Sequence, residues 1–257
     1  MTMSTRRLDT TDLEARVKSM YEQVATEPHR GFHFETGRGL AERLGYPPAD
    51  LDRIPAAAID SFAGVGYFLD LATPVEGETV LDLGSGSGMD SFLAALAVGQ
   101  AGTVIGVDMT PAQLGKARAL AAGWDNVTFR EGYIEQPPVQ DGTCDCVISN
   151  GVINLAPDKY AVFAAAAKSL RPGGQLAIAD IVTAVQLPEG IICDAALWAA
   201  CIGGAMQRDR YTDAIEAAGF HIDTVLDNTE CQFRSDRASS ATAEYGVTSI
   251  SLLARRT

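Results

Sequence analysis

The spacing of apolar positions changes once along this chain, near residue 75. Before it, Leu13, Val17, Met20 with Tyr21, and Val24 recur at helical intervals. They follow Thr11-Asp-Leu-Glu14, a capping-box pattern that predicts a helix start, and the helix must stop before Pro28. The polar-aromatic segment 29–38, with His33 and Arg38, leads to a short helix ending near Gly45. After Pro47, Pro48 and Pro55, the two glycines of Phe62-Ala-Gly-Val-Gly-Tyr-Phe68 predict a turn.

From Glu78 onward, short apolar runs alternate with longer helical patterns. Strands are predicted at 79–83, 103–107, 126–130, 144–149 and 175–182, with two more at 221–226 and 247–254. Helices are predicted at 90–98, from Thr110-Pro111, from Asp158 to Arg171 ahead of Pro172-Gly-Gly174, around 193–202, and up to Gly219. This alternation predicts an α/β fold: a doubly wound, mostly parallel seven-stranded sheet covered on both faces. Residues 1–75 are expected to form a helical cap and 76–257 the sheet domain. Ligands of such sheets sit beyond the carboxyl ends of the strands, so the loops after Leu83, Val107, Arg130 and Ser149 form the expected functional rim.

Charge narrows the partners. Lys and Arg total 20 against 33 Asp and Glu, a net charge of −13, and no basic cluster exceeds Arg6-Arg7 or Arg255-Arg256. A nucleic-acid partner is therefore not expected. Nor is a membrane partner, because no apolar run approaches the roughly 20 residues a bilayer requires. Five cysteines, an odd number in a long chain, do not read as a disulfide framework, and a cytoplasmic location is expected.

The strongest local signal is Val80-Leu-Asp-Leu-Gly-Ser-Gly-Ser-Gly88. Gly84, Gly86 and Gly88 allow a sharp turn and a close approach of backbone, with Ser85 between them, and the helix that follows offers N–H groups to an anion. Asp82, near the strand end, is placed to meet an ammonium. Asp108 ends the next strand, where an acid can accept both hydrogens of a ribose diol. A dinucleotide fingerprint would require glycine at residue 89, which is Met, so a smaller ligand with a ribose and an amino-acid end fits better.

Asp82-Leu-Gly-Ser-Gly-Ser-Gly88 and Gly106-Val-Asp-Met109, with Pro172-Gly-Gly174 before a strand, resemble the motifs of class I S-adenosylmethionine-dependent methyltransferases. The resemblance implies a Rossmann-like methyltransferase fold with S-adenosyl-L-methionine as cofactor. It also implies Asp82 and the glycine loop on the methionine part, Asp108 on the ribose, and Met109 on adenine. A narrower set is similar to arsenite methyltransferases: Gly132-Tyr-Ile-Glu135, Val147-Ile-Ser-Asn-Gly-Val-Ile-Asn-Leu155, Pro157-Asp-Lys159 and Leu197-Trp-Ala-Ala-Cys-Ile-Gly-Gly-Ala205. It implies Ile134 and Glu135 near adenine, Asn150 near the sulfonium, and Cys201 as the matching acceptor-side thiol. Tyr133 stands where many class I enzymes carry Asp, leaving the polar reading of adenine to Glu135.

The cysteine pattern departs from that branch. No cysteine precedes Cys144, and Gly151 and Ala156 occupy the loop where the branch places a thiol. Cys144 and Cys146 alternate on a predicted buried strand. Cys193 and Cys201 would stand about 12 Å apart along a helix, and Cys231 lies in a late loop. No metal site is expected. Trp198 is open to either a core or an acceptor-stacking role, and Arg208 and Arg210 to a solvated face or an acidic acceptor. Three functions remain open: a methyltransferase for arsenic or another soft centre that needs Cys201, a methyltransferase for an organic small molecule, and a silent cofactor-binding protein.

Overall fold

The computed structural model describes residues 8–193, 198, 202–231 and 243–257. Among the described residues five helices precede the first strand: α1 (Thr10–Thr26), α2 (Arg38–Arg43), α3 (Pro48–Leu51), α4 (Ala56–Asp60) and α5 (Leu69–Ala72). Then follow β1 (Thr79–Leu83), α6 (Met89–Val98), β2 (Thr103–Asp108), α7 (Pro111–Leu120), β3 (Val127–Glu131) and β4 (Cys144–Asn150). A 3-10 turn (Ile153–Leu155) leads to α8 (Lys159–Ser169), β5 (Leu170–Thr183) and α9 (Glu189–Ile192). The chain closes with β6 (Met206–Gln207), α10 (Arg208–Ala217), β7 (Phe220–Asp227) and β8 (Thr248–Arg256).

The sheet runs β3-β2-β1-β4-β5-β8-β7, the seven strands expected, with the two-residue β6 joined to β5 as an eighth. β1 to β5 pair in parallel, and β8 enters antiparallel between β5 and β7. Strand order reverses between β1 and β4, the switch point where such sheets open a crevice. Alternate residues of the central strands feed two cores. Val80, Cys146, Ile148 and Ala177 join Phe92 and Leu114, on the face that also receives α2 to α5. Leu81, Val147, Leu176 and Ile178 join Phe163, Tyr211 and Ile215 of α8 and α10. The strands are therefore apolar almost without interruption, as a sheet covered on both faces requires.

Segment 62–68 is the stretch that brings the N-terminal helices onto the rim. Its backbone is sewn to the sheet by side chains. Asn150 Oδ1 accepts from the Val65 N–H at 2.8 Å. Ser249 Oγ donates to Val65 O at 2.7 Å, and Ser251 Oγ, on the same face of β8, donates to Tyr67 O at 2.9 Å. Gly66 permits this closeness, because a Cβ there would come within 2.8 Å of Ala179 and collide with the Asn228 amide.

Two local readings change, and a third goes untested. The N-cap of α1 is Asp9, whose carboxylate accepts from Thr11 N and Asp12 N, so the Thr11–Glu14 box does not form. An acid at that end satisfies orphan donors and the helix dipole together. Pro172-Gly-Gly174 lies within β5 rather than before it. Cys144 pairs with Leu170 and Cys146 with Gln175, so 171–174 is extruded as an excursion, exposed at 171–173, with Gly173 at φ 78°. The helix expected around 193–202 falls mainly outside the described residues.

Candidate active site

A cavity of about 440 Å³ opens at the carboxyl ends of β1, β2 and β4, a size suited to a small cofactor with part of a second molecule. The glycine loop forms its floor and α1 its roof, through Thr10, Leu13, Glu14, Val17 and Tyr21. Of the residues singled out in the sequence, Asp82, Gly84, Ser85, Gly86, Asp108, Met109, Ile134, Glu135 and Asn150 all line it. Gly88 does not line it. It sits behind the loop at φ 96° as the N-cap of α6, and a Cβ there would come within 2.6 Å of the Phe129 ring, so its smallness serves packing. Cys201 lies outside the described residues.

Asp108 closes the glycine loop from the next strand. Its Oδ2 accepts from Gly86 N at 2.9 Å and its Oδ1 from Thr110 N at 2.7 Å. Each oxygen keeps a lone-pair direction for a ligand hydroxyl. Burial pushes its carboxyl above the ordinary range while the two N–H donors oppose that shift. Ser85 turns its hydroxyl toward Gly106, where a Cβ would come within 2.8 Å, so this serine meets the cavity with other atoms.

Asp82 is 3% exposed and its Oδ2 accepts from Ser91 Oγ at 2.5 Å. Burial, with Asp90 close by, raises its carboxyl to about 8. Asp90, in the first turn of α6, also lines the cavity. It accepts from Tyr46 Oη at 2.6 Å and from Asn150 Nδ2 at 3.1 Å, and burial raises it to about 6 against those bonds. Asn150 is a hub. Its amide nitrogen also reaches Tyr46 Oη at 2.9 Å and Gly66 O at 3.0 Å, fixing its orientation toward the N-terminal segment.

The roof is fastened at both ends. Gln113 Nε2 donates to Tyr21 O at 2.9 Å, while its Oε1 accepts from Ser87 Oγ of the glycine loop at 2.5 Å. Lys116 Nζ donates to Ala25 O and Ser61 Oγ. Toward the start of α1, Tyr133 Oη donates to Glu14 Oε1 at 2.7 Å and Lys18 joins the same carboxylate at 2.7 Å. Tyr133, standing where an acid was expected, therefore reaches the roof helix instead. His33 and Arg38 are not in the cavity lining; Arg38 pairs with Glu42 and Asp52 at the surface.

The rim beyond β4 rests on a buried polar cluster. Lys159 Nζ donates to Asn154 O and Ala156 O, and burial lowers its ammonium to about 8. Asp180 accepts from Asn154 Nδ2 and Tyr211 Oη, both at 2.7 Å. Trp198 belongs to a core shared with Leu13, Val17 and Leu155, and its Nε1 donates to Ile192 O at 2.6 Å. Arg208 pairs with Asp227 on a solvated face, and Arg210 is exposed. Cys144 and Cys146 are buried in β4, and no cysteine lines the cavity among the described residues.

The donor set fits a nucleoside joined to an amino acid. The acids end neighbouring strands, the apolar Met109 and Ile134 stand beyond Asp108, and no Lys, Arg or His opposes a cationic ligand among the described lining residues. The sequence pointed to Asp82, Asp108 and Asn150; it gave no sign of Tyr46, Gln113 or the role of Asp90 in the wall.

Comparison with known proteins agrees. A family model described as a methyltransferase domain matches residues 74–219. An arsenite methyltransferase of Halobacterium salinarum is 43% identical over 205 residues, 79% of this chain and 52% of that protein. One from Aquipseudomonas alcaligenes is 41% identical over 165 residues, 60% of this chain and 48% of that protein. The chain thus spans about half the length of these curated relatives. Among solved structures, the arsenic(III) S-adenosylmethionine methyltransferase of Chlamydomonas reinhardtii superposes with a TM-score of 0.64 at 30% identity, covering 85% of this chain and 73% of that one. With its sheet order, its glycine-loop cavity and these relatives, the chain belongs to the methyltransferase-domain family that uses S-adenosylmethionine.

Proposed function

We propose that this protein transfers a methyl group from S-adenosylmethionine to a small-molecule acceptor. The observation that carries the reading is one cavity that gathers the glycine loop, Asp82 and Asp108 under α1. In this reading Asp108 receives the ribose hydroxyls, Asp82 the ammonium, and Met109, Ile134 and Glu135 flank the adenine. The cofactor supplies an activated methyl on a sulfonium, open to in-line attack. The chain's share is then alignment and exclusion of water: Asn150, pinned by four partners, holds the rim, and α1 covers the reacting atoms. Residues 1–75 act as the cap in this scheme.

An organic acceptor is favoured by the absence of cysteine from the described lining, since trivalent arsenic is best held by thiolates. The arsenite reading is favoured by the relatives and rests on Cys201. Free cysteines at 144, 146 and 231 accord with a reducing compartment such as the cytoplasm. The test is transfer of label from methyl-labelled S-adenosylmethionine to arsenite with glutathione, and to a panel of phenols and amines. Arsenite turnover lost in Cys201→Ser supports the metalloid acceptor, and turnover of an organic compound untouched by that change supports the organic one. Cofactor binding without transfer to any of them overturns the enzymatic reading.

A further inference from the structure

Two features of the cavity wall remain without a counterpart. Glu14, Asp82, Asp90, Asp108 and Glu135 all line it, and among the described lining residues none is Lys, Arg or His. Asp82 and Asp90 are the buried pair, 3% and 7% exposed, and the charge of Asp90 adds to burial in raising the Asp82 carboxyl. Nothing donates to Asp82 Oδ1 among the described residues, whereas Ser91 holds Oδ2. Asp90 has one neutral donor on each oxygen, Tyr46 and Asn150, and spare lone pairs on both.

Two neighbouring buried carboxyls resist ionising together at neutral pH unless a cation joins them. The described lining residues supply none. The groups facing the pair are Ser91, Tyr46, Tyr67, Asn150 and Asp108, all neutral or acidic. A divalent metal is a poor candidate, because no group of three or more metal-ligating side chains occurs among the described residues. An ammonium, with three donors, matches the open oxygen of Asp82 and the spare lone pairs of Asp90. We propose that Asp82 and Asp90 form a paired-carboxylate clamp that holds the α-ammonium of the cofactor's methionine end and releases a proton as it enters. This rests on the cofactor reading above and adds Asp90 as a second binding residue.

The raised carboxyls, Asp82 at about 8 and Asp90 at about 6, leave the empty pair with about one proton at pH 7, and an ammonium between them expels it. Affinity for a ligand with that ammonium therefore rises from pH 5 to neutrality, while affinity for the adenosine part alone stays flat.

Titration calorimetry with S-adenosylhomocysteine and with 5′-methylthioadenosine, which lacks the amino-acid end, tests this in phosphate and in Tris at pH 7. The wild type should release about one proton per S-adenosylhomocysteine and close to none with 5′-methylthioadenosine. Asp90→Asn should weaken S-adenosylhomocysteine about tenfold, cut the proton release, and leave 5′-methylthioadenosine unchanged. Unaltered S-adenosylhomocysteine affinity in Asp90→Asn overturns the clamp, as does a parallel loss for both ligands, which would mark Asp90 as structural. Should Asp90→Asn not fold, equal observed heats in the two buffers, which mean no proton release by the wild type, overturn it. Binding of neither ligand by the wild type overturns the cofactor reading itself, and the clamp with it.

Discussion

Asp108 carries two tasks at once, tying Gly86 and Thr110 by their N–H groups while presenting its outer lone pairs to the cavity. Asp108→Ala should weaken S-adenosylmethionine binding by about 2–4 kcal/mol, the scale of a charge-assisted hydrogen-bond pair. Calorimetry checks this, and unchanged affinity contradicts the ribose assignment. The place of Asp108 in the cavity wall was legible because a strand-end acid after a glycine loop faces the rim of such a sheet. Asp90 was not: in sequence it is an ordinary first-turn acid, favourable to any helix dipole. Its meaning comes from Tyr46, 44 residues earlier, and Asn150, 60 residues later, and no spacing rule connects three residues so far apart.

At the scale of elements, α1 has two fastenings of unequal strength. Gln113, 1% exposed, bridges Ser87 and Tyr21, whereas Glu14 and Lys18 are 41% and 32% exposed and Tyr133 is 47% exposed. Exposed contacts of the second kind contribute about 0–1 kcal/mol, and an orphaned buried polar atom costs about 1–3 kcal/mol. Tyr133→Phe should therefore leave the denaturation midpoint almost unchanged but speed cofactor dissociation in stopped flow. Gln113→Leu should lower stability by about 1–3 kcal/mol in denaturant titration, because Ser87 and Tyr21 lose a partner. Deleting residues 1–35 should abolish transfer while leaving the far-UV signature of the sheet domain; full activity in that truncation would refute the roof. The periodicity of Leu13, Val17 and Val24 made α1 readable. Its destination was not readable, since Gln113 and Lys116 lie on α7 and only the fold brings them near. The excursion in β5 was missed for a similar reason, because Pro-Gly-Gly marks a break in the chain without saying whether the strand resumes on the same ladder.

The molecule as a whole should respond to pH through its buried acids. Asp82, Asp90, Asp108 and Asp180 all have raised carboxyls, burial being the first cause in each case. A raised carboxyl means the folded state binds protons that the unfolded chain has released, so stability falls as pH rises. The contribution is complete below the unfolded range near 4 and is lost through about 6 for Asp90 and about 8 for Asp82. Lys159, lowered to about 8, acts in the opposite direction only above that pH, since the unfolded chain there holds the extra proton. The ligand-free melting temperature should accordingly drop between pH 5 and 8, and S-adenosylhomocysteine should restore more of it at pH 8 than at pH 5. A flat profile by calorimetric melting would refute the burial assigned to these acids.

The excursion at 171–174 leaves β5 near the amino end of the strand, on the edge of the sheet away from the cavity. Arg171, Pro172 and Gly173 are exposed, and the ladder resumes at Gln175. Such a spot is a natural handle for labelling or for insertion of a short peptide tag. A fluorophore or affinity sequence placed at Gly173 should report on the protein or immobilise it without disturbing α1 or any residue that meets the cofactor.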